Sequence, residues 1–142
     1  MLKLLVPVDG SANAVRLVEY LARQWLPRLA EAVDLHLINV QPALHGEVGM
    51  FLSRDQIRSY HHDEGIKALQ VARDRLDAAG LAYAFHIGVG DPAETIVQFA
   101  REKQCDQIVM GTRGLGKLAS LVLGSVASRV IQLAEVPVML IK

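Results

Sequence analysis

Met110-Gly111-Thr112-Arg113-Gly114-Leu115-Gly116-Lys117, followed by Leu123-Gly124-Ser125-Val126, reads as a strand end, a glycine-rich loop and a helix start. Val109 and Met110 close a short apolar run. Gly111, Gly114 and Gly116 permit backbone angles that side chains forbid, so the chain can approach a ligand closely there. Ser125 is a suitable N-cap for a helix over Val126–Ala134. A helix start offers unpaired N–H groups and a partial positive charge, which favours an anion such as phosphate. The plainer reading of the same glycines is a surface loop with turn residues.

Outward from this stretch, the chain alternates strand and helix signals. Leu2–Val8 is an apolar run that stops at Asp9-Gly10-Ser11, as expected of a strand buried on both faces. Ala14, Val18, Leu21, Ala22, Trp25 and Leu29 follow at helical spacing, with Ser11 as cap and Pro27 near the last turn. Asp34–Val40 is a second strand, and Gln41–Met50, with Pro42, Gly46 and Gly49, is a loop. Ser53–Ala79 is a long helix whose apolar stripe is interrupted around Gly65, with Gly80 just past its end. Ala82–Val89 is a third strand. Asp91-Pro92-Ala93-Glu94 then starts a helix, with Asp91 at the N-cap, Pro92 at the first helical position and Glu94 placed for a capping box. Gln107–Met110 is a fourth strand and Val136–Ile141 a fifth. The alternation predicts an α/β domain over 1–142: an open parallel sheet with helices on both faces. Ligands of such sheets lie beyond the carboxyl ends of the strands, where the winding reverses. If the first and fourth strands are neighbours, Pro7–Ser11 and Gly111–Gly116 face one crevice.

Composition narrows the function. Fifteen basic residues balance fifteen acidic ones, which disfavours bulk binding to nucleic acid. No apolar run has membrane-spanning length, and the apolar start Met1–Pro7 is too short for a signal sequence. One cysteine, Cys105, allows no disulfide within a chain. The expectation is a cytoplasmic protein that neither inserts into membranes nor binds nucleic acid.

The chain resembles the universal stress proteins. Val6-Pro7-Val8-Asp9-Gly10-Ser11 resembles the opening of that family, and Val136-Pro137-Val138 its closing strand. Gly-x2-Gly-x9-Gly-Ser, carried here by Gly111, Gly114, Gly124 and Ser125, is similar to the motif of the family's ATP-binding branch. The resemblance implies an adenine-nucleotide α-hydrolase-like fold with strand order 3-2-1-4-5. It also implies a site for ATP or a related adenine nucleotide, alone or with Mg²⁺. Asp9 would contact ribose, Pro7 and Val8 would line the adenine side, and the Val40 backbone would read the adenine edge. Met110 and Gly111 would pack against ribose and the first phosphate. Gly114, Gly124, Ser125 and Val126 would hold the phosphates, with Arg113 and Lys117 able to add charge. The loop lacks the Gly-Lys-Ser/Thr of a P-loop, so that ATPase mechanism does not carry over.

Asp9 is also ordinary turn chemistry, and it is the one acid placed near the site. No other carboxylates pair at a spacing that suggests acid–base work, so no catalytic residue is assigned and hydrolysis is expected to be slow or absent. The competing readings are a slow ATPase or other adenine-nucleotide hydrolase, and a dimerisation module with an unused pocket. His61 and His62, with His45 nearby, invite a metal reading, but adjacent helical residues point about 100° apart, and no metal is expected. His36 and His86 are expected to be packing or surface residues, and Cys105 no nucleophile. The apolar, proline-containing strand Val136–Ile141 suits an exposed edge, and the family resemblance implies a homodimer through it. The regulatory partner of a stress-response protein of this kind is not identified by the sequence.

Overall fold

The computed structural model describes residues 1–29, 31–44, 46–112 and 123–142. Its strands are β1 (Leu2–Pro7), β2 (Val33–Gln41), β3 (Ala84–Val89), β4 (Gln107–Gly111) and β5 (Val138–Ile141). Its helices are α1 (Ala12–Tyr20), α2 (Glu47–Met50), α3 (Arg54–Ala78), α4 (Pro92–Glu102) and α5 (Ser125–Leu133). The strands form one parallel sheet in the order β3-β2-β1-β4-β5.

Alternation along each strand divides the core in two. Leu4 and Val6 of β1 and Val8 just beyond it, with Leu35, Leu37 and Val109, pack against Leu17 and Val18 of α1 and Leu69, Ala72 and Leu76 of α3. Leu5, Ile38, Ile108 and Met110 point to the other face, against Ile96, Val97 and Ala100 of α4 and Ala127 and Val130 of α5. Both faces of β1 are therefore covered, which explains its near-continuous apolar run. Helices α1 and α3 cover one face and α4 and α5 the other, so the winding reverses between β1 and β4.

Local chemistry sets the boundaries. Ser11 caps α1 by accepting from Ala14 N at 3.1 Å. Ahead of Pro27, α1 widens into a single π turn at Leu21–Trp25 and then tightens into a 3₁₀ turn at Leu26–Arg28. Ser53 and Gln56 form a reciprocal capping box at the start of α3. Asp91 caps α4 by accepting from Glu94 N at 3.0 Å. At Gly65, in mid-helix, an added Cβ would lie 2.7 Å from Ile87 side-chain carbons, so the glycine lets α3 press closely on β3.

Several expectations need correction: β3 begins at Ala84 rather than Ala82, and at the start of α4 only the Asp91 half of the expected capping box forms. The stretch Gln41–Met50 is not loop throughout, since Glu47–Met50 forms the short helix α2. The last strand is Val138–Ile141 rather than Val136–Ile141, with Pro137 ahead of it accepting from Ile108 N at 3.0 Å. The N-cap of α5 is Gly124, not Ser125, for the reason given below.

Candidate functional site

The crevice at the carboxyl edge of the sheet has a sequence cause. Pairing of β1 with β4 runs from Leu4↔Gln107 to Leu5↔Ile108 and stops. On the β4 side of β1, the next rung would be donated by residue 7. That residue is Pro7, which has no N–H. On its other edge β4 stays paired with β5 as far as Gly111↔Ile141. The first and fourth strands thus part at the point where the winding reverses.

Asp9 stands at the lip of this opening. One carboxylate oxygen accepts from Ser11 N at 2.9 Å, which folds an Asx turn into the start of α1. Gly10 takes φ +84° and lies against Ala68 of α3, 3.3 Å from where a Cβ would sit, so a side chain there would be both strained and crowded. Val8 is buried, and its N–H donates to Ile38 O at 2.8 Å. Its carbonyl accepts from the buried Asn39 Nδ2 at 2.8 Å, and Asn39 Oδ1 in turn accepts from Gln41 Nε2 at 2.6 Å. Ile38 O faces β1, so Val40, two residues on, directs its N–H and C=O the same way, beyond the last rung of that ladder.

The β4 side of the crevice is equally fixed. Met110 is buried and Gly111 ends the strand. Thr112 N donates to Ile141 O at 3.1 Å, and Thr112 O accepts from Gly124 N at 2.5 Å. That bond ties the start of α5 to the end of β4. Gly124 has φ −68° and ψ 162°, and its carbonyl accepts from Ser128 N at 3.0 Å, so it is the capping residue. Ser125 is the first helical residue and is exposed, and Val126 follows it, half-buried. The serine hydroxyl is thereby released from a capping role.

Pro7, Val8, Asp9, Val40, Met110, Gly111, Gly124, Ser125 and Val126 are therefore gathered along one edge of the sheet. Arg113 and Gly114, with Gly116 and Lys117, lie outside the described residues. A small cavity of about 40 Å³ beside Gly111 and Thr112 is lined by Asn13 and Arg16 of α1 and by Lys142 after β5. Arg16 hydrogen-bonds Asn13. Sequence reading had not singled out Arg16 or Lys142. Only the strand order brings the α1 start and the chain's last residue beside Gly111.

The histidines fall into two groups. His61 is buried and His62 exposed, as their angular separation on a helix demands, and His45 lies outside the described residues. Among the described residues no group of three or more His, Cys, Asp and Glu is arranged to hold a metal ion. His36 and His86, on adjacent strands, meet at 2.9 Å between Nδ1 and Nε2 with their rings stacked. His36 Nε2 lies 3.0 Å from Asp34 Oδ1 in a poorly directed contact. Burial, then His36, then Lys103 hold the His86 imidazole below the ordinary histidine pKa. Burial pushes the Cys105 thiol up, away from the reactive thiolate. No described helix is long and apolar enough to cross a membrane.

Comparison with known proteins places these features in context. The profile of the universal stress protein family matches residues 1–142. Universal stress protein YxiE of Bacillus subtilis is 33% identical, over 99% of this chain and 98% of its own. Universal stress protein MJ0531 of Methanocaldococcus jannaschii is 32% identical, over 99% of this chain and 81% of its own. Among solved structures, the protein MJ0577 superposes with a TM-score of 0.79 at 26% identity, covering 99% of this chain and 94% of that one. A universal stress protein in complex with cAMP gives 0.71 at 26% identity, covering 99% and 97%. The universal stress protein from Archaeoglobus fulgidus in complex with dAMP gives 0.66 at 27% identity, covering 100% and 98%.

Proposed function

Because the chain belongs to the universal stress protein family, we propose that it is a single-domain, nucleotide-dependent regulatory protein that binds ATP, or a closely related adenine nucleotide, in the β1/β4 crevice. The observation that carries this reading is the parting of β1 and β4 at Pro7. It opens a cleft with Asp9 on one lip and Gly111 and the α5 start on the other. Related proteins hold cAMP and dAMP, which supports an adenine nucleotide as the ligand class.

The parts divide the work by chemistry. Val40 offers a backbone donor and acceptor to an adenine edge, with Pro7 and Val8 beside it. The Asp9 carboxylate, held by Ser11, accepts from ribose hydroxyls. Met110 and Gly111 form the wall against ribose and the first phosphate. The unpaired N–H groups of Ser125 and Val126 and the Ser125 hydroxyl face the phosphates, completed by Gly114 and Arg113. Arg16 and Lys142 add positive charge beside Gly111. Mg²⁺ would enter with the nucleotide rather than through a protein carboxylate cage.

Asp9 is already engaged in the turn that starts α1, which suits a positioning role better than proton transfer. Binding therefore dominates over turnover. The edge strand β5 leaves the outward N–H and C=O groups of Val138 and Leu140 for a second copy, giving a two-fold dimer. The reading is tested by denaturing freshly purified protein and chromatographing the supernatant for nucleotide, alongside a steady-state assay with Mg²⁺ and ATP. Near-stoichiometric adenine nucleotide without rapid product formation is expected. Rapid turnover lost in Gly124→Ala would establish an enzyme instead.

A further inference from the structure

The carboxyl edge of the sheet carries a second opening, distinct in its residues from the crevice. It is a cavity of about 540 Å³ between the first turns of α3, the connection after β2, and the end of β3. We propose that this cavity is a separate ligand site for an organic anion with an apolar body, such as a medium-chain carboxylate.

Its basic lining is one-sided. Arg54, Arg58, His61 and His62 contribute to it, and among the described residues no acidic side chain does. Arg54 and Arg58 stand four residues apart on α3, a spacing at which like charges repel. Neither pairs with any other described residue. Two exposed arginines on one cavity wall, without a described counter-charge, match a carboxylate, sulfonate or phosphate head.

The rest of the wall is apolar. Leu44, Ile57, Ile87 and Val89 supply aliphatic surface for the body of the ligand. The preceding connection also carries Met50 and Phe51, each 82% exposed, an unusual cost in water for such residues. His61 adds a buried imidazole to the same lining. It is 5% exposed, and its Nδ1 is shut off from solvent with no hydrogen-bond partner among the described residues.

The fold separates this cavity from the crevice. Asn39 and Gln41 lie on β2 between the two, locked to each other and to the Val8 carbonyl. Gln41 O also accepts from Gly90 N at 2.9 Å, closing the end of β2 on β3. None of the residues assigned to nucleotide appears in the cavity wall. The inference therefore stands or falls independently of nucleotide binding.

Calorimetric titration of the full chain with decanoate, below its micelle concentration, tests it. Saturable binding near one per chain is expected, with decanol at least tenfold weaker because it lacks the charge. Arg54→Ala/Arg58→Ala should weaken decanoate at least tenfold while leaving ATP binding and the melting temperature unchanged. Ala43→Trp, which fills the cavity without touching charge, should abolish decanoate binding. AMP at saturation should leave decanoate affinity within twofold. No saturable decanoate binding, equal affinity in the double arginine variant, or displacement by AMP would each overturn the proposal.

Discussion

Two serines separate capping from ligand contact. Ser11 bonds Ala14 N, so Ser11→Ala should lower stability by about 1 kcal/mol, the usual loss of an N-cap. Ser125 sits one residue inside α5, so Ser125→Ala should change stability by no more than about 0.5 kcal/mol. Its nucleotide affinity should nevertheless fall several-fold. Urea unfolding and nucleotide titration of the two variants check this, and the opposite pattern would restore Ser125 as the cap. The sequence pointed at Ser125 because serine outranks most residues as a cap. The bond from Gly124 N to Thr112 O moved the helix start by one residue, and no local pattern announces such a tertiary bond.

At the scale of the element, α3 shows a conflict between helix propensity and packing. Gly65→Ala gains about 1 kcal/mol of helix propensity, but its Cβ would meet Ile87 branch carbons at 2.7 Å. Overpacking of that kind costs about 1–3 kcal/mol, so a net loss of about 1 kcal/mol is expected in chemical denaturation. The strand pair β2–β3 adds a pH dependence. His86 is held below its ordinary pKa in the fold, so between the unfolded value near 6.5 and the lower folded value the unfolded chain binds more protons. Stability must therefore rise with pH through that window and fall on acidification below about 6.5. The contact with His36 sharpens this, because a 2.9 Å nitrogen pair needs one donor and one acceptor. Thermal melts from pH 7.5 to 5.5 should show a shallower decline in His86→Gln than in the native chain. Periodicity placed both histidines on strands, but their meeting depends on the register Ile38↔His86, which is set by the whole β2–β3 ladder.

For the whole molecule, the alternation of strands and helices made the open parallel sheet legible, and the resemblance supplied its order. Both stand in the structure. The candidate site is marked in the sequence by motif residues, at Asp9, Gly111 and Gly124-Ser125. Pro7 is marked there as a lining residue, but its part in ending the β1–β4 ladder through a missing N–H, and the place of Arg16 and Lys142 beside Gly111, follow only from topology. The edge strand β5 carries the prediction for assembly. Sedimentation at micromolar concentration should give roughly twice the 15.5 kDa of the chain, and a monomer would contradict pairing through Val138–Ile141. The central claim, an adenine-nucleotide site between β1 and β4, is tested most directly by calorimetric titration of nucleotide-free protein with ATP, in the native chain and in Asp9→Ala. The account predicts one site per native chain and an affinity at least tenfold lower in the variant, whose stability falls by only about 1 kcal/mol with loss of the Ser11 bond. Absence of saturable binding, or equal affinity in the two proteins, would contradict it.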